Sequence, residues 1–149
     1  MKNAKKNNPY SDMSARQLKV LAEQGDAEAQ FRLADRYKKG KGVRKSLPKA
    51  VEWYAKAANQ GDPYAQQNLA CCYSGGKGVR KSYNKAVEWY TKAAEQGDVK
   101  AQWCLAFCYE KGHGVKKELA NAIGWYTKAA EQGDEEAQNK LSLLQRNEE

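Results

Sequence analysis

The fourteen residues Lys85-Ala86-Val87-Glu88-Trp89-Tyr90-Thr91-Lys92-Ala93-Ala94-Glu95-Gln96-Gly97-Asp98 occur nearly letter for letter again as Lys49 to Asp62 and as Asn121 to Asp134. Each copy begins 36 residues after the one before it. A chain that repeats itself on this period must build the same unit several times and bury each unit's apolar face against the next. Within the string, Ala86, Trp89, Tyr90, Ala93 and Ala94 fall at i, i+3, i+4, i+7 and i+8, one face of an α-helix, and are expected to form its core side. Gly97 supplies the left-handed position that stops a helix, and Asp98 is a good N-cap for the next.

Three full units follow one another at 29–64, 65–100 and 101–136, and 18 of their 36 positions are identical in all three. The first helix of each unit, helix A, carries Ala29, Leu33, Ala34 and Tyr37, then Ala65, Leu69, Ala70 and Tyr73, then Ala101, Leu105, Ala106 and Tyr109. This narrow stripe lets backbones approach over alanine while Leu and Tyr fill the space between them. Helix A is expected to stop at Gly40, Gly76 and Gly112 in a Gly-x-Gly-Val loop that needs positive φ twice, with Val43, Val79 and Val115 tucked against the core. Ser46, Ser82 and Glu118 then open helix B, the string quoted first. A half unit at 14–28, capped by Ser14 or Ser11, precedes the array, and a second at 137–149 closes it. In that last segment Ser142 and Gln145 replace the core Ala and Tyr, the more polar face a terminal helix needs. Residues 1–13 form a basic, polar lead expected to be mobile.

Composition narrows the class. With 41% hydrophobic and 30% charged residues the chain can build a core. It contains no apolar run near the roughly 18 residues of a membrane span and no secretory signal, so a cytoplasmic protein with no membrane partner is expected. Cys71, Cys72, Cys104 and Cys108 sit on helix A of neighbouring units at spacings that suit neither a disulfide framework nor, with His113, a compact zinc module. Free thiols, no metal and no cofactor are expected.

The pattern Ala-x3-Leu-Ala-x2-Tyr-x2-Gly-x-Gly-Val, followed by Lys-Ala-x2-Trp-Tyr-x-Lys-Ala-Ala-x-Gln-Gly-Asp, resembles the Sel-one-like repeat family, a relative of the tetratricopeptide repeat. The resemblance covers Ala29 to Asp134, with half repeats on either side. It implies an all-α fold, a right-handed α-solenoid of antiparallel helix pairs with about eight helices. It also implies a protein–protein interaction scaffold or adaptor. Ala stands at 34, 70 and 106 where family repeats often have Gly, and Ser46 and Ser82 stand where Asp is common; both changes keep the packing or capping role. The cysteine-rich secreted branch of the family pairs cysteines at places held here by Ala58 and Gln66, then Ala94 and Gln102. A β-lactam-directed activity is ascribed to some family members, and Ser46-x2-Lys49 and Ser82-x2-Lys85 match the Ser-x-x-Lys seed of such enzymes. Neither copy has an accompanying Ser-Asp-Asn or Lys-Thr-Gly, and the serines are already explained as N-caps. A single His gives no triad. The chain is therefore expected not to be an enzyme.

Charge divides along and across the array. The three units carry +6, +3 and −2, within a net charge of +8. The A-to-B turns hold Lys38, Lys39, Lys41, Arg44, Lys45, Lys77, Arg80, Lys81, Lys116 and Lys117; the B-to-A turns hold Asp26, Asp62, Asp98, Asp134, Glu135 and Glu136. One edge is thus basic and the other acidic. Helix-dipole complementarity and solubility account for this, and a docking ridge for an acidic protein or for nucleic acid is the functional alternative. No aromatic residues interleave with the basic turns to stack bases, which disfavours nucleic acid.

In stacks of this type helix A lines the concave surface, and its outer stripe reads Phe31, Asp35, Lys38; Gln67, Cys71, Ser74; Trp103, Phe107, Glu110, extended by Tyr64, Lys100 and Asn139. These positions differ in every unit while the core positions agree. Phe31, Trp103 and Phe107 either anchor a partner or pack between repeats. The expected function is binding of a protein or peptide segment, acidic in character, on this face by a monomeric chain.

Overall fold

Short polar side chains start these helices and glycines end them. The computed structural model describes residues 8–147, and these form eight helices: α1 (Ala15–Glu23), α2 (Ala27–Lys39), α3 (Leu47–Asn59), α4 (Pro63–Gly75), α5 (Tyr83–Glu95), α6 (Val99–Lys111), α7 (Leu119–Glu131) and α8 (Glu135–Arg146). Helix A of the three units is α2, α4 and α6, and helix B is α3, α5 and α7. The carboxylates of Asp26, Asp62, Asp98 and Asp134 accept from the amides of Ala29, Ala65, Ala101 and Ala137. Ser46 and Ser82 cap α3 and α5 in the same way. Ser14 and Gln17 form a reciprocal capping box on α1. Each such cap contributes about 1 kcal/mol. Glu118 starts α7 without capping its backbone; its carboxylate takes the Asn121 amide at 2.8 Å instead.

Each helix packs on the next in sequence, giving an all-α solenoid. Its interior is the expected stripe: Leu18, Leu33, Leu69 and Leu105 are buried, as are Ala34, Ala70 and Ala106. Each buried leucine contributes roughly 2 kcal/mol over its exposed state. Tyr54, Tyr90 and Tyr126 of helix B are buried with them. The tryptophans of the repeated string are not core, contrary to expectation. Trp53, Trp89 and Trp125 are half-buried, and Val51 and Val87 take the inner place. The Nζ of Lys56, Lys92 and Lys128 lies 4.5 Å over each indole, so these rings close the outer surface under a cation.

The B-to-A edge is held by glutamines. Gln30, Gln66 and Gln102 are 4–5% exposed, and their Nε2 groups donate to the carbonyls of Ala22, Ala58 and Ala94 near the end of the preceding helix. Their Oε1 atoms accept from Nε2 of Gln60, Gln96 and Gln132, at the end of helix B of the same unit, at 2.8–2.9 Å. Those same amides also donate to Gly25, Gly61 and Gly97 carbonyls. The result is one hydrogen-bonded ladder along the array. At its end, Gln138 keeps the bond to Ala130 but is exposed.

From Asn8 onward the lead, expected to be mobile, makes hydrogen bonds with the helices beside it. The Tyr10 hydroxyl donates to Asp26 at 2.8 Å, and Arg36 Nη2 donates to the Met13 carbonyl at 2.8 Å. Residues 1–7 of that expectation lie outside the described residues.

Candidate partner-binding face

The outer stripe of helix A opens to solvent unevenly. Lys38, Tyr64, Lys100 and Asn139 are exposed; Phe31, Asp35, Cys71, Ser74, Trp103, Phe107 and Glu110 are half-buried. Gln67 corrects the expectation that the whole stripe is open: it is 5% exposed, with its amide turned onto Cys71 Sγ at 3.0 Å.

Part of the variation along the stripe has a structural cause. Every unit brings the same buried helix-B tyrosine up against helix A, and its hydroxyl must find a partner. Tyr54 donates to Asp35, Tyr126 donates to Glu110 at 2.7 Å, and Tyr90 meets Cys71 Sγ at 3.2 Å and Ser74 Oγ at 3.5 Å. Burial first, then Asp35 at Tyr54, Glu110 at Tyr126 and the thiols of Cys104 and Cys71 at Tyr90, push all three phenols well above their ordinary pKa, against the lowering by Ser74 at Tyr90. For Glu110, burial alone would raise the carboxyl pKa. The hydrogen bonds from Tyr126 and from Lys140 Nζ at 3.0 Å outweigh that and hold it below the usual range.

Between the second and third units the face holds an aromatic pocket. Ser74, Tyr83, Tyr90, Trp103, Cys104, Phe107, Cys108 and His113 line about 210 Å³. Trp103 stacks on Phe107 at 5.4 Å, and Phe107 meets His113 edge-on at 6.0 Å. His113 stacks in turn on Tyr83 at 4.4 Å. The buried Nε1 of Trp103 has no hydrogen-bond partner among the described residues. On its other side Trp103 borders a wider groove of about 460 Å³ with Val99, Lys100, Cys104, Asp134 and Glu136. Phe31 leans on Tyr54 and Tyr64 at 5.9 and 6.2 Å.

A second pocket, of about 200 Å³, lies at the N-terminal end and is lined by Tyr10, Ser11, Arg32, Asp35, Arg36, Lys39 and Lys41. Arg32 pairs with Glu28 at 2.6 Å, and Asp35 is engaged by Tyr54. Of these residues the sequence reading placed only Asp35 on the binding face and only Lys39 and Lys41 in the basic turns. It missed Arg32, Arg36, Tyr10 and Ser11. The signal was present: at positions 32 and 36 the first unit has Arg twice, where the later units have Asn68, Cys72, Cys104 and Cys108.

Lys41, Arg44, Lys45, Lys77, Arg80, Lys81, Lys116 and Lys117 are all exposed along the A-to-B turns, as a basic edge requires. The Ser-x-x-Lys pairs do not assemble a nucleophile and base. Each hydroxyl caps its helix, and the ammonium groups of Lys49 and Lys85 lie 5.5 and 5.3 Å over the rings of Tyr37 and Tyr73.

The thiols are free. Burial pushes the Cys104 thiol up to about 12, Cys108 up to about 11, and raises Cys72. Since the thiolate is the reacting species, Cys104 and Cys108 should alkylate roughly tenfold or more slowly in the folded chain than in urea at pH 8. Peptide mapping after timed iodoacetamide treatment checks this; equal rates in both states would contradict the burial described.

A family model described as Sel1 repeat matches residues 27–62, 63–98 and 99–134. Its frame starts two residues before the units read from the sequence, at the first residue of each helix A. Among solved structures, a Sel1 repeat protein from Oxalobacter formigenes is 42% identical, covering 85% of this chain and 96% of its own, with a TM-score of 0.79. A protective antigen of uropathogenic Escherichia coli with an SLR fold is 33% identical over 89% of this chain and 36% of its own, with a TM-score of 0.72. Helicobacter pylori cysteine rich protein B is 25% identical over 87% of this chain and 98% of its own, with a TM-score of 0.67. No curated protein matches the chain.

Proposed function

The chain belongs to the Sel1 repeat family, whose members generally serve as protein-interaction modules, and on that basis we propose that it is a non-catalytic scaffold that binds an extended protein or peptide segment along the helix-A face. One observation carries this reading: the units repeat their packing residues unchanged, yet on helix A they present three different surfaces, cationic, thiol-and-hydroxyl, and aromatic. Solenoids offer such a row as a continuous concave surface. The exposed lysines and arginines of the A-to-B turns would steer acidic partners to it.

Crosslinking and mass spectrometry in the native extract test the assignment. An aromatic anchor truncated at a hot spot costs about 2 kcal/mol or more. The Trp103→Ala/Phe107→Ala chain should therefore capture its partners roughly thirtyfold less efficiently or worse, with its helical content unchanged. An identical partner profile would remove the helix-A face from consideration.

A further inference from the structure

The two pockets on this face are the same pocket built twice. Stepping 72 residues, two repeat periods, carries Ser11 onto Tyr83, Arg32 onto Cys104, Asp35 onto Phe107, Arg36 onto Cys108 and Lys41 onto His113. The fold fixes the cavity at the junction of helix A with the start of the preceding helix B, and each copy has its own lining. At about 200 and 210 Å³ both are smaller than the roughly 300–1,000 Å³ of ordinary ligand sites. Each suits one side chain.

We infer that the two copies read two side chains of one bound segment: a carboxylate of Asp or Glu in the Arg32/Arg36/Lys39/Lys41 pocket, and an aromatic ring in the Tyr83/Trp103/Phe107/His113 pocket. This rests on the helix-A face being the peptide-binding surface and specifies what that surface selects. The charge argument is internal to the chain. Lys39 and Lys41 are exposed, and Arg32 and Arg36 are only partly occupied by Glu28 and the Met13 carbonyl. With Asp35 in the same lining and Glu28 on Arg32, the four cations still leave the pocket net positive, which suits a carboxylate. In the other copy the cations are replaced by ring faces and neutral thiols. Lys81 lies over Tyr83 at 4.7 Å, and Lys111 and Lys140 lie over Phe107 at 5.8 and 5.9 Å, so the cations back the rings rather than fill the pocket. The pockets lie on α2 and α6, two repeats apart with one helix between successive helices A. At about 10 Å or more per repeat they are separated by at least roughly 20 Å. An extended segment covers that span in about six residues.

The test is selection of random twelve-residue peptides displayed on phage. They are fused at their C-termini, so only side-chain carboxylates are on offer, and are selected against the full chain. Enriched peptides should pair Asp or Glu with Phe, Tyr or Trp about six residues away. Changing the acid to its amide should weaken an enriched peptide about tenfold on the native chain and leave binding to Arg32→Gln/Arg36→Gln unchanged, which is the coupling a shared contact requires. Lys39→Gln/Lys41→Gln, altered only at exposed side chains, provides a second variant should the arginine pair prove structural through Met13. Enriched peptides without the acid–aromatic pairing, or an acid whose loss weakens binding to both cation variants as much as to the native chain, would overturn this inference while leaving the helix-A face in place. Absence of any enrichment would overturn both.

Discussion

Alanine at Gly114 is expected to destabilise the solenoid by about 3 kcal/mol or more, and alanine at Gly42, the same letter of the same motif, by only about 1 kcal/mol. The two share a left-handed backbone, with φ of +72° and +77°, so the cost of placing an L-residue there is common to both. What differs is the neighbour. A methyl at Gly114 would overlap the Tyr83 carbonyl and come within 2.9 Å of the Asn84 nitrogen, both backbone atoms at the start of α5. At Gly78 it would lie 2.5 Å from the Leu47 carbonyl oxygen, again backbone. At Gly42 it meets the Ala15 methyl at 3.5 Å and the end of the Arg36 side chain at 3.7 Å, both ordinary contacts. The second glycine of the second and third loops is therefore where one unit's turn rests on helix B of the unit before it, and a side chain there separates the units. Thermal melts should show Gly114→Ala and Gly78→Ala losing roughly 10 °C and Gly42→Ala a few degrees. Equal losses at all three would show that the turn conformation alone governs these positions.

Gln66→Ala is expected to cost about 3 kcal/mol: roughly 1 for each of two buried hydrogen bonds and roughly 1 for the void left by the side chain. The bonds lost are those to the Ala58 carbonyl and from Gln96 Nε2. Gln138→Ala is its control. That residue holds the same register and makes the same bond to the Ala130 carbonyl, but it is exposed, so water replaces what is removed and the loss should stay under about 1 kcal/mol. Urea denaturation of both variants checks the difference. If Gln66→Ala proves as mild as Gln138→Ala, the ladder contributes nothing beyond an exposed amide.

Most of the scaffold was legible from local pattern. The Ala29-Leu33-Ala34-Tyr37 stripe, the Asp and Ser caps and the glycine stops each act within one or two turns of helix, and each recurs three times. What escaped is what depends on contacts across units. Gln30 and Gln60 are identical in every unit, yet a polar residue repeated in sequence reads as surface until helix ends 30 residues apart are brought together. The tryptophan fell on the apolar face by periodicity, which does not distinguish the centre of a face from its rim, and Val51 and Val87 took the centre. Gln67 shares its letter position with Phe31 and Trp103 but folds inward onto Cys71. The N-terminal pocket needed Tyr10 and Ser11, which no repeat pattern places, and Arg32 and Arg36, which lie between the two stripes that periodicity picks out.

The glutamine ladder also sets how the array can flex. Along the B-to-A edge successive units are tied by the directional bonds of Gln66 and Gln102 to the Ala58 and Ala94 carbonyls and of Gln96 and Gln132 to the Gly61 and Gly97 carbonyls. Along the opposite edge they rest on one another through the contacts of Gly78 with Leu47 and Gly114 with Tyr83. Dispersion contacts give under load more readily than a line of hydrogen bonds. The molecule therefore bends like a bound book, with the glutamines as its spine and the basic turns as the loose page edges. Lys41 and His113 stand at that loose edge and also wall the two pockets. Bending that spreads the turns therefore acts at the walls of both cavities.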